Sequence, residues 1–431
     1  MSLRTLADWL RSWSIPALVF LLPWQIVWVV RVQEVHGYVW DLATIRLYGV
    51  PLLICGVALL HWRLVVAAFR KAWVASFGAL GVLVVWVVVA SDSLLALQQA
   101  TQIVAGVLLF VLLLVRAHRG PSEHKVLWAF LITMCVQAIL ALIQFGVQEV
   151  WGSVLLGVAA HTPGTLGVPV VEALSGRYLR AYGMFPHPNI LGAWLAVGAF
   201  AALWGVLRFE RRWMVLTTGV FALLLAGLVV TFSRSAWLAL ALAVVVWIIS
   251  TAAVGTVPYW KRWIGPIVVI GCVAVLLLTG LRPLLETRVG FDSRLEEKSV
   301  SERVQFFERG WDLFTQQPVM GYGLGHATVA LHEYDAELPG YLLQPPHVVG
   351  LVLLIELGVV GLFLLFSLVV WLFHIVRREL TYSTPILIAA VLFLVIISLF
   401  DHFLWTLWSG MSLVVVVLSL PLLLVDKRTH I

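Results

Sequence analysis

Apolar runs of bilayer-crossing length recur from one end of this 431-residue chain to the other. Such runs leave few folding options. A helix satisfies its own backbone hydrogen bonds in lipid, whereas an irregular segment does not. A membrane barrel would show short alternating segments instead. The hydrophobic share is 62% and the charged share only 12%, well outside the range of ordinary soluble domains. The expected fold class is therefore an all-α polytopic membrane protein. About twelve spans are predicted by hydropathy, near 14–30, 46–61, 74–90, 103–115, 126–145, 190–207, 213–231, 235–250, 264–282, 348–373, 384–400 and 404–425.

Charge orients these spans. With the N-terminus in the cytoplasm, the inner segments carry Arg4 and Arg11; Arg63, Arg70 and Lys71; Arg116, Arg119 and Lys125; Arg208, Arg211 and Arg212; Lys261 and Arg262; Arg377 and Arg378; and Lys427 and Arg428. Every inner segment is basic, as the positive-inside rule requires, and both termini are expected in the cytoplasm. No small-residue cleavage site follows the first apolar run, so a cleaved signal peptide is not expected. Cys55, Cys135 and Cys272 all lie in apolar runs and read as small buried hydrophobes rather than disulfides or metal ligands. The formal charge of +6 bears on orientation, not on nucleic acid.

The longest outer loop is predicted between spans 9 and 10, roughly 283–346. It mixes Arg282, Arg288, Arg294, Lys298, Arg303 and Arg309 with Glu286, Asp292, Glu296, Glu297, Glu302, Glu308 and Asp312. Its stretch SVSERVQFFERGWDLFTQQP has Ser301 as a candidate cap. Val304, Phe307, Trp311 and Phe314 follow at helical spacing, and Pro318 makes a stop. An amphipathic surface helix is expected there.

Three motifs face outward. The apolar run 213–250 is too long for one crossing at about 1.5 Å per residue, so it must fold as a hairpin. Arg234, with no acidic neighbour in sequence, marks the outer turn, and Ser233 is a plausible N-cap for the following helix. The plainer alternative is an arginine snorkelling to headgroups. In RYLRAYGMFPHPNILGAWLA, Arg180 precedes HPN. Pro188 suits a first helical turn, with His187 or Asn189 near its cap. An ordinary loop-to-helix junction would look the same. In the third, glycines at 321, 323 and 325 precede Pro345, Pro346 and His347, which open span 10. The glycines suit a tight turn or close backbone approach, and His347 alone could be an interfacial histidine. Together the three helix starts point outward, offering free N–H groups, dipole ends and arginines. That combination suits a diphosphate, with a histidine able to take a proton. No Walker A, HExxH, CxxC or Asp-x-Asp motif is present. No metal or cofactor is therefore expected, and the energy source must travel with the substrate.

RAYGMFPHPNILG, TFSRSAWLAL, SERVQFFERGWDLFTQQPVMGYGLG and PPHVVGLVLLIELGVVGL, in that order, resemble the O-antigen ligase and O-antigen polymerase superfamily of membrane glycosyltransferases. The resemblance spans roughly 177–362, a family-like core within a single domain of 1–431. It implies transfer of a glycan from undecaprenyl diphosphate, without metal and with inversion, at the periplasmic face of the inner membrane. A ligase would use lipid A–core as acceptor, and a polymerase a second lipid-linked glycan. By motif, Arg180 and Arg234 would hold the diphosphate and His347 would activate the acceptor. His187, Asn189, Arg303, Tyr322 and His326 would contact substrate. Glu302 and Arg303 could equally form a structural pair. Where the family has Asn after the histidine, this chain has Val348. A ligase-like enzyme is expected, with a polymerase second. A lipid-linked sugar transporter is the rival of another class; it would show broken helices and charges at the membrane midplane.

Overall fold

The computed structural model describes residues 3–71, 73–117, 123–173, 176–255, 260–290, 294–380 and 383–424. Arg119, Asp292, Lys427 and Arg428 of the charge analysis lie outside the described residues.

The chain opens with α1 (Leu3–Leu21). It then runs through β1 (Val27–Arg31), β2 (Glu34–Val35), β3 (Tyr38–Val39) and β4 (Ile45–Tyr48). Helices α2 (Gly49–Leu60), α3 (Trp62–Lys71), α4 (Trp73–Val89), α5 (Ser93–Ala117) and α6 (Glu123–Val147) follow. A long connection carries β5 (Val170–Ala173) and β6 (Gly176–Leu179). Next come α7 (Pro188–Arg208), α8 (Arg211–Val229), α9 (Arg234–Ala253) and α10 (Ile264–Gly280). The long loop folds as α11 (Arg282–Gly290), α12 (Arg294–Gln316) and α13 (Ala327–Tyr334). The chain closes with α14 (Val349–Leu380), α15 (Thr384–Phe400), α16 (Phe403–Thr406) and α17 (Trp408–Leu423).

Among the described residues, six helices are each long and apolar enough to cross a membrane: those within 93–116, 124–147, 188–208, 211–229, 234–253 and 349–370. Helices α2 and α3, bent by 89°, make a seventh if taken as one span. The chain is thus an all-α, multi-pass membrane protein. A count of twelve crossings rests on hydropathy alone.

Several boundaries differ from expectation. The first span was expected to reach residue 30, but α1 ends at Leu21. Pro23 interrupts it, and the β-branched run that follows pairs as β1 against β4, with Val27 opposite Tyr48. The outer turn expected at 91–102 is mostly the start of α5. There the Asp92 carboxylate accepts from the Leu94 and Leu95 N–H groups and caps the helix. The tenth span is not continuous. α14 breaks at Gly358, whose φ is 62°. The segment around residues 318–323 lies against the break. Val359 and Val360 N–H groups donate to the Pro318 and Val319 carbonyls, and Tyr322 and Gly323 N–H groups donate to Ile355 and Glu356. A Cβ at Gly358 would meet the Val319 carbonyl oxygen at 2.2 Å. In the long loop, a Cβ at Gly321 would meet the Glu356 backbone at 2.6 Å and one at Gly323 would meet Ala90 at 2.6 Å, so these two glycines serve close backbone approach, as expected.

Helix α12 also departs from its expected form. It begins at Arg294, so Ser301 lies inside it rather than capping it. Its buried side is Phe306, Gly310 and Leu313, while Val304, Phe307 and Trp311 are exposed. Gly310 explains the choice of side. A Cβ there would sit 2.7 Å from Pro346 Cγ, so only glycine lets α12 close onto the start of α14.

The core is built around α7, whose span is buried along its whole length. It packs against α6, α8, α9 and α17. Trp194 Nε1 donates to the Ser409 carbonyl at 3.0 Å. Gly198 and Gly205 lie under Met134 and Leu224 and under Phe209 and Thr217, respectively.

The connections expected on the outer side meet at one end of the bundle. Trp24 Nε1 donates to the Leu155 carbonyl, Arg31 pairs with Asp92, and His36 bonds the Ala336 carbonyl. Leu284 of α11 packs in one cluster with Val171 of β5 and Phe232. The expected inner connections meet at the other end. There Arg116 donates to the Ser12 carbonyl, and Arg262 donates to the Leu207 and Phe209 carbonyls. A cavity of about 280 Å³ lies at this second end, with Arg11, His61 and Arg116 on its wall, away from all three motifs.

Candidate active site

The loop before α7 is held by polar groups on α6. Gln144 Oε1 accepts from the Tyr182 and Gly183 N–H groups, and its amide donates to the Gly183 carbonyl. Gln137 Oε1 accepts from the Met184 N–H. Both glutamines are buried. Unpaired, each would be costly in an apolar bundle; paired, they fix the loop that carries Arg180 and His187. Helix α7 then begins at Pro188, with His187 in the N-cap position. His187 Nδ1 accepts from the Asn189 N–H at 3.1 Å, which puts the ring proton on Nε2. Burial pushes the His187 imidazole down to about 3, with Asp401 opposing that shift and Arg180 adding to it.

The turn between α8 and α9 is tight. Thr231 N–H donates to the Leu228 carbonyl and Phe232 N–H to the Val229 carbonyl. Phe232 has φ 49°, which is strained for a bulky residue, and its side chain is fully buried. Packing against Phe145 and Trp237 holds it there. Ser233 occupies the N-cap position of α9 without a side-chain cap bond, and half-buried Arg234 is the first helical residue. The hairpin and the position of Arg234 are as the run length required.

Arg180 joins these two segments. Only 5% exposed, it donates from Nε to the Thr231 carbonyl at 2.7 Å and from Nη2 to Asn189 Oδ1 at 2.6 Å. The network continues through Asn189 Nδ2 to Asp401 Oδ2 at 2.9 Å. Asp401 Oδ1 lies 3.9 Å from His347 Nδ1. Segments far apart in sequence (before α7, between α8 and α9, before α14 and between α15 and α16) thus meet in one polar network. His347 stands just ahead of α14, and the Val348 carbonyl accepts the N–H groups of Leu351 and Val352. The Phe306 ring meets His347 edge-on, with centroids 6.1 Å apart. Arg303 lies one turn before Phe306, on the same side of α12.

Asp401 and His402 did not emerge from the sequence reading. Asp401 is 6% exposed. Burial alone would raise its carboxyl. The His347 ring, with Nδ1 3.9 Å from Oδ1, and the charges of His402 and His187 outweigh burial and hold it well below the usual carboxylate range. The His402 ring lies 5.3 Å from that of His347, and burial lowers it to about 4. Its Nδ1 is 2.7 Å from Thr406 Oγ1. The available signal is a DH pair closing an apolar run.

Tyr322 and His326 belong to a second polar cluster. His326 is buried; Nε2 accepts from the Asp92 N–H and Nδ1 bonds the Leu324 carbonyl. Both ring nitrogens are committed, and burial lowers the imidazole. Glu356 accepts from the Gly325 N–H and Trp405 Nε1, anchoring the same loop. Tyr322 OH reaches Gln316 Oε1 at 3.4 Å. This cluster fastens the long loop to the α4–α5 turn and to α14.

No curated protein and no solved structure matches the chain. Residues 219–366 match the family model described as O-Antigen ligase. Arg180, His187, Asn189, Asp401 and His402 lie outside that stretch. The matched stretch contains Arg234, Arg303, Tyr322, His326 and His347, and it is this part of the chain that is similar to the O-antigen ligase family.

Proposed function

We propose that the chain is an O-antigen ligase-like glycosyltransferase. It moves a glycan from undecaprenyl diphosphate to a sugar hydroxyl of lipid A–core at the periplasmic face of the inner membrane. The observation that carries the reading is the network that ties Arg180, Asn189, Asp401 and His347 together beside the Arg234 turn. It gathers an arginine-bearing helix start and a histidine–carboxylate pair at one end of the bundle, the arrangement that diphosphate-driven transfer needs.

In this mechanism the acceptor hydroxyl gives its proton to His347 Nε2 while its oxygen attacks the anomeric carbon from the face opposite the diphosphate. The bond from that carbon to the diphosphate oxygen breaks, and its electron pair leaves on the diphosphate. The configuration inverts. Arg234, with the free N–H groups at the start of α9, meets the developing negative charge. Arg303 approaches from α12. Arg180, bonded to the Thr231 carbonyl and Asn189, fixes the turn that presents Arg234 and keeps the surroundings cationic. Asp401 faces His347 Nδ1 and stabilises the imidazolium once it forms. That distance of 3.9 Å is long for a hydrogen bond, and such contacts tighten around bound substrate. Proton transfer and charge neutralisation both come from side chains, so turnover needs no metal.

The test is reconstitution with donor and lipid A–core, reading released undecaprenyl diphosphate and lengthened lipopolysaccharide. His347→Ala should cost about 10²- to 10⁴-fold in turnover. Full activity in that variant, or strict dependence on added metal, would refute the reading. A lengthened lipid-linked glycan as product would make the enzyme a polymerase.

A further inference from the structure

His347, Asp401 and His402 each offer one ligand atom, and those atoms lie within 4.8 Å of one another. Three nitrogen and oxygen donors at that spacing do more than a general base requires. We propose that they form a binding site for a first-row transition metal such as zinc, and that metal bound there switches the enzyme off. The inhibitory consequence rests on the transferase reading; the binding does not.

The donors are arranged for coordination. Asn189 Nδ2 occupies Asp401 Oδ2 at 2.9 Å, leaving Oδ1 toward His347. His347 Nδ1 is buried and makes no hydrogen bond. Thr406 Oγ1 is 3.3 Å from the His402 carbonyl and 2.7 Å from His402 Nδ1. With its proton on that carbonyl, the hydroxyl accepts from Nδ1–H. The His402 Nε2 lone pair is then free, the tautomer a metal needs. Thr406 and Asn189 thus act as the outer partners that orient metal ligands.

Spacing and chemistry agree with this occupant. Bonds of about 2.0–2.2 Å at tetrahedral angles place donors roughly 3.4 Å apart. The His347–Asp401 separation of 3.9 Å needs only slight closure. Two imidazoles and one carboxylate favour zinc over magnesium or calcium, which take mostly oxygen. Three protein ligands leave a fourth position for water.

Metal on His347 Nδ1 leaves the ring's remaining proton on Nε2. That nitrogen then has no lone pair for the acceptor hydroxyl. Asp401, bound to the cation, no longer stabilises the imidazolium. The metal therefore removes the base rather than assisting the reaction.

The experiment uses the full-length protein, free of any histidine tag, in lipid nanodiscs without substrate. Zinc is titrated calorimetrically, and cobalt by its visible absorption. One equivalent of zinc and a four- or five-coordinate cobalt spectrum are expected. His402→Ala and His347→Ala should each weaken binding at least tenfold. Thr406→Val keeps all three ligands and nearly the same volume, so it tests the site even where a ligand variant fails to fold. It should weaken binding about 10- to 100-fold. No saturable binding up to millimolar metal, or equal binding by wild type and all three variants, would overturn the proposal. Active enzyme that binds no zinc defeats this inference alone. Inactive protein that binds zinc through these residues defeats the transferase reading alone.

Discussion

Replacing Asp401 with asparagine removes one charge from the centre of the network and turns an NH2 group, in place of an acceptor oxygen, towards His347 Nδ1. The carboxylate is 6% exposed, is held by Asn189 Nδ2 at 2.9 Å and lies 3.9 Å from His347 Nδ1. Asparagine retains the shape and an acceptor oxygen for Asn189. The charge matters only when His347 becomes an imidazolium, which happens as the acceptor loses its proton. Two unit charges near 4 Å at an effective dielectric of about 20 interact by about 4 kcal/mol. Spent wholly in the transition state, that is about a thousandfold in rate. His347 is partly open to solvent, with its side chain 24% exposed, which reduces the figure. Turnover of Asp401→Asn should therefore fall by about 10²- to 10³-fold, while KM for the lipid-linked donor changes little. Steady-state kinetics at saturating acceptor, with released lipid diphosphate as readout, separate these constants. Turnover within threefold of wild type, or a loss confined to KM, would refute the claim that Asp401 acts through His347.

Arg234→Ala should reduce turnover by about 10²- to 10³-fold, and Arg234→Lys should not fully restore it because the forked geometry is lost; rates from the same assay decide both. Gly358→Ala should lower the thermal unfolding midpoint in detergent, because its φ of 62° and the Val319 carbonyl 2.2 Å from an added Cβ both oppose a side chain. His326→Ala should lower that midpoint as well, yet turnover per folded molecule should be largely kept, since both ring nitrogens serve the protein. His187 and His402 are lowered to about 3 and about 4 by burial, so below about pH 6.5 the unfolded chain takes up protons that the folded chain refuses. Their stability contribution is full above about pH 6.5 and falls as pH drops towards 4 and 3; an unfolding midpoint that is flat from pH 7 to pH 4 would contradict it.

Hydropathy located the helices because the constraint is local and severe. A run too long for one crossing must turn, and Arg234 stands at that turn. Cap chemistry was equally legible: HPN before an apolar run gave α7 its start at Pro188. The expected site set was legible only in part, for a physical reason. Arg180, Asn189 and His347 announced themselves beside helix starts, where charge is conspicuous. Asp401 and His402 close a span, and nothing in their own stretch shows that Asn189 and His347 will meet them. Gln137 and Gln144, two turns apart on α6, read as stray polar residues until the loop before α7 supplies their partners. His326 shows the opposite case. A histidine in a glycine-rich turn resembles a ligand, yet His326 spends both nitrogens on Asp92 and Leu324. On α12, Val304, Phe307 and Trp311 have the helical spacing and are exposed, whereas the side that closes onto α14 is set by Gly310, which has no side chain to score.

The enclosure of α7 has a consequence for how this protein is made. Its sequence reads as a good lipid anchor, yet its span is buried along its whole length. Helices enter a membrane in chain order, and α9 and α17, which sheathe it, are synthesised after it. Until they arrive, α7 must be solvated by lipid, and afterwards by protein alone. Its apolar residues therefore serve two solvents in succession, while its glycines count only in the second. A glycine-to-leucine change there would improve insertion and spoil assembly, yielding a chain that enters the bilayer normally and fails only after the last helix is in place.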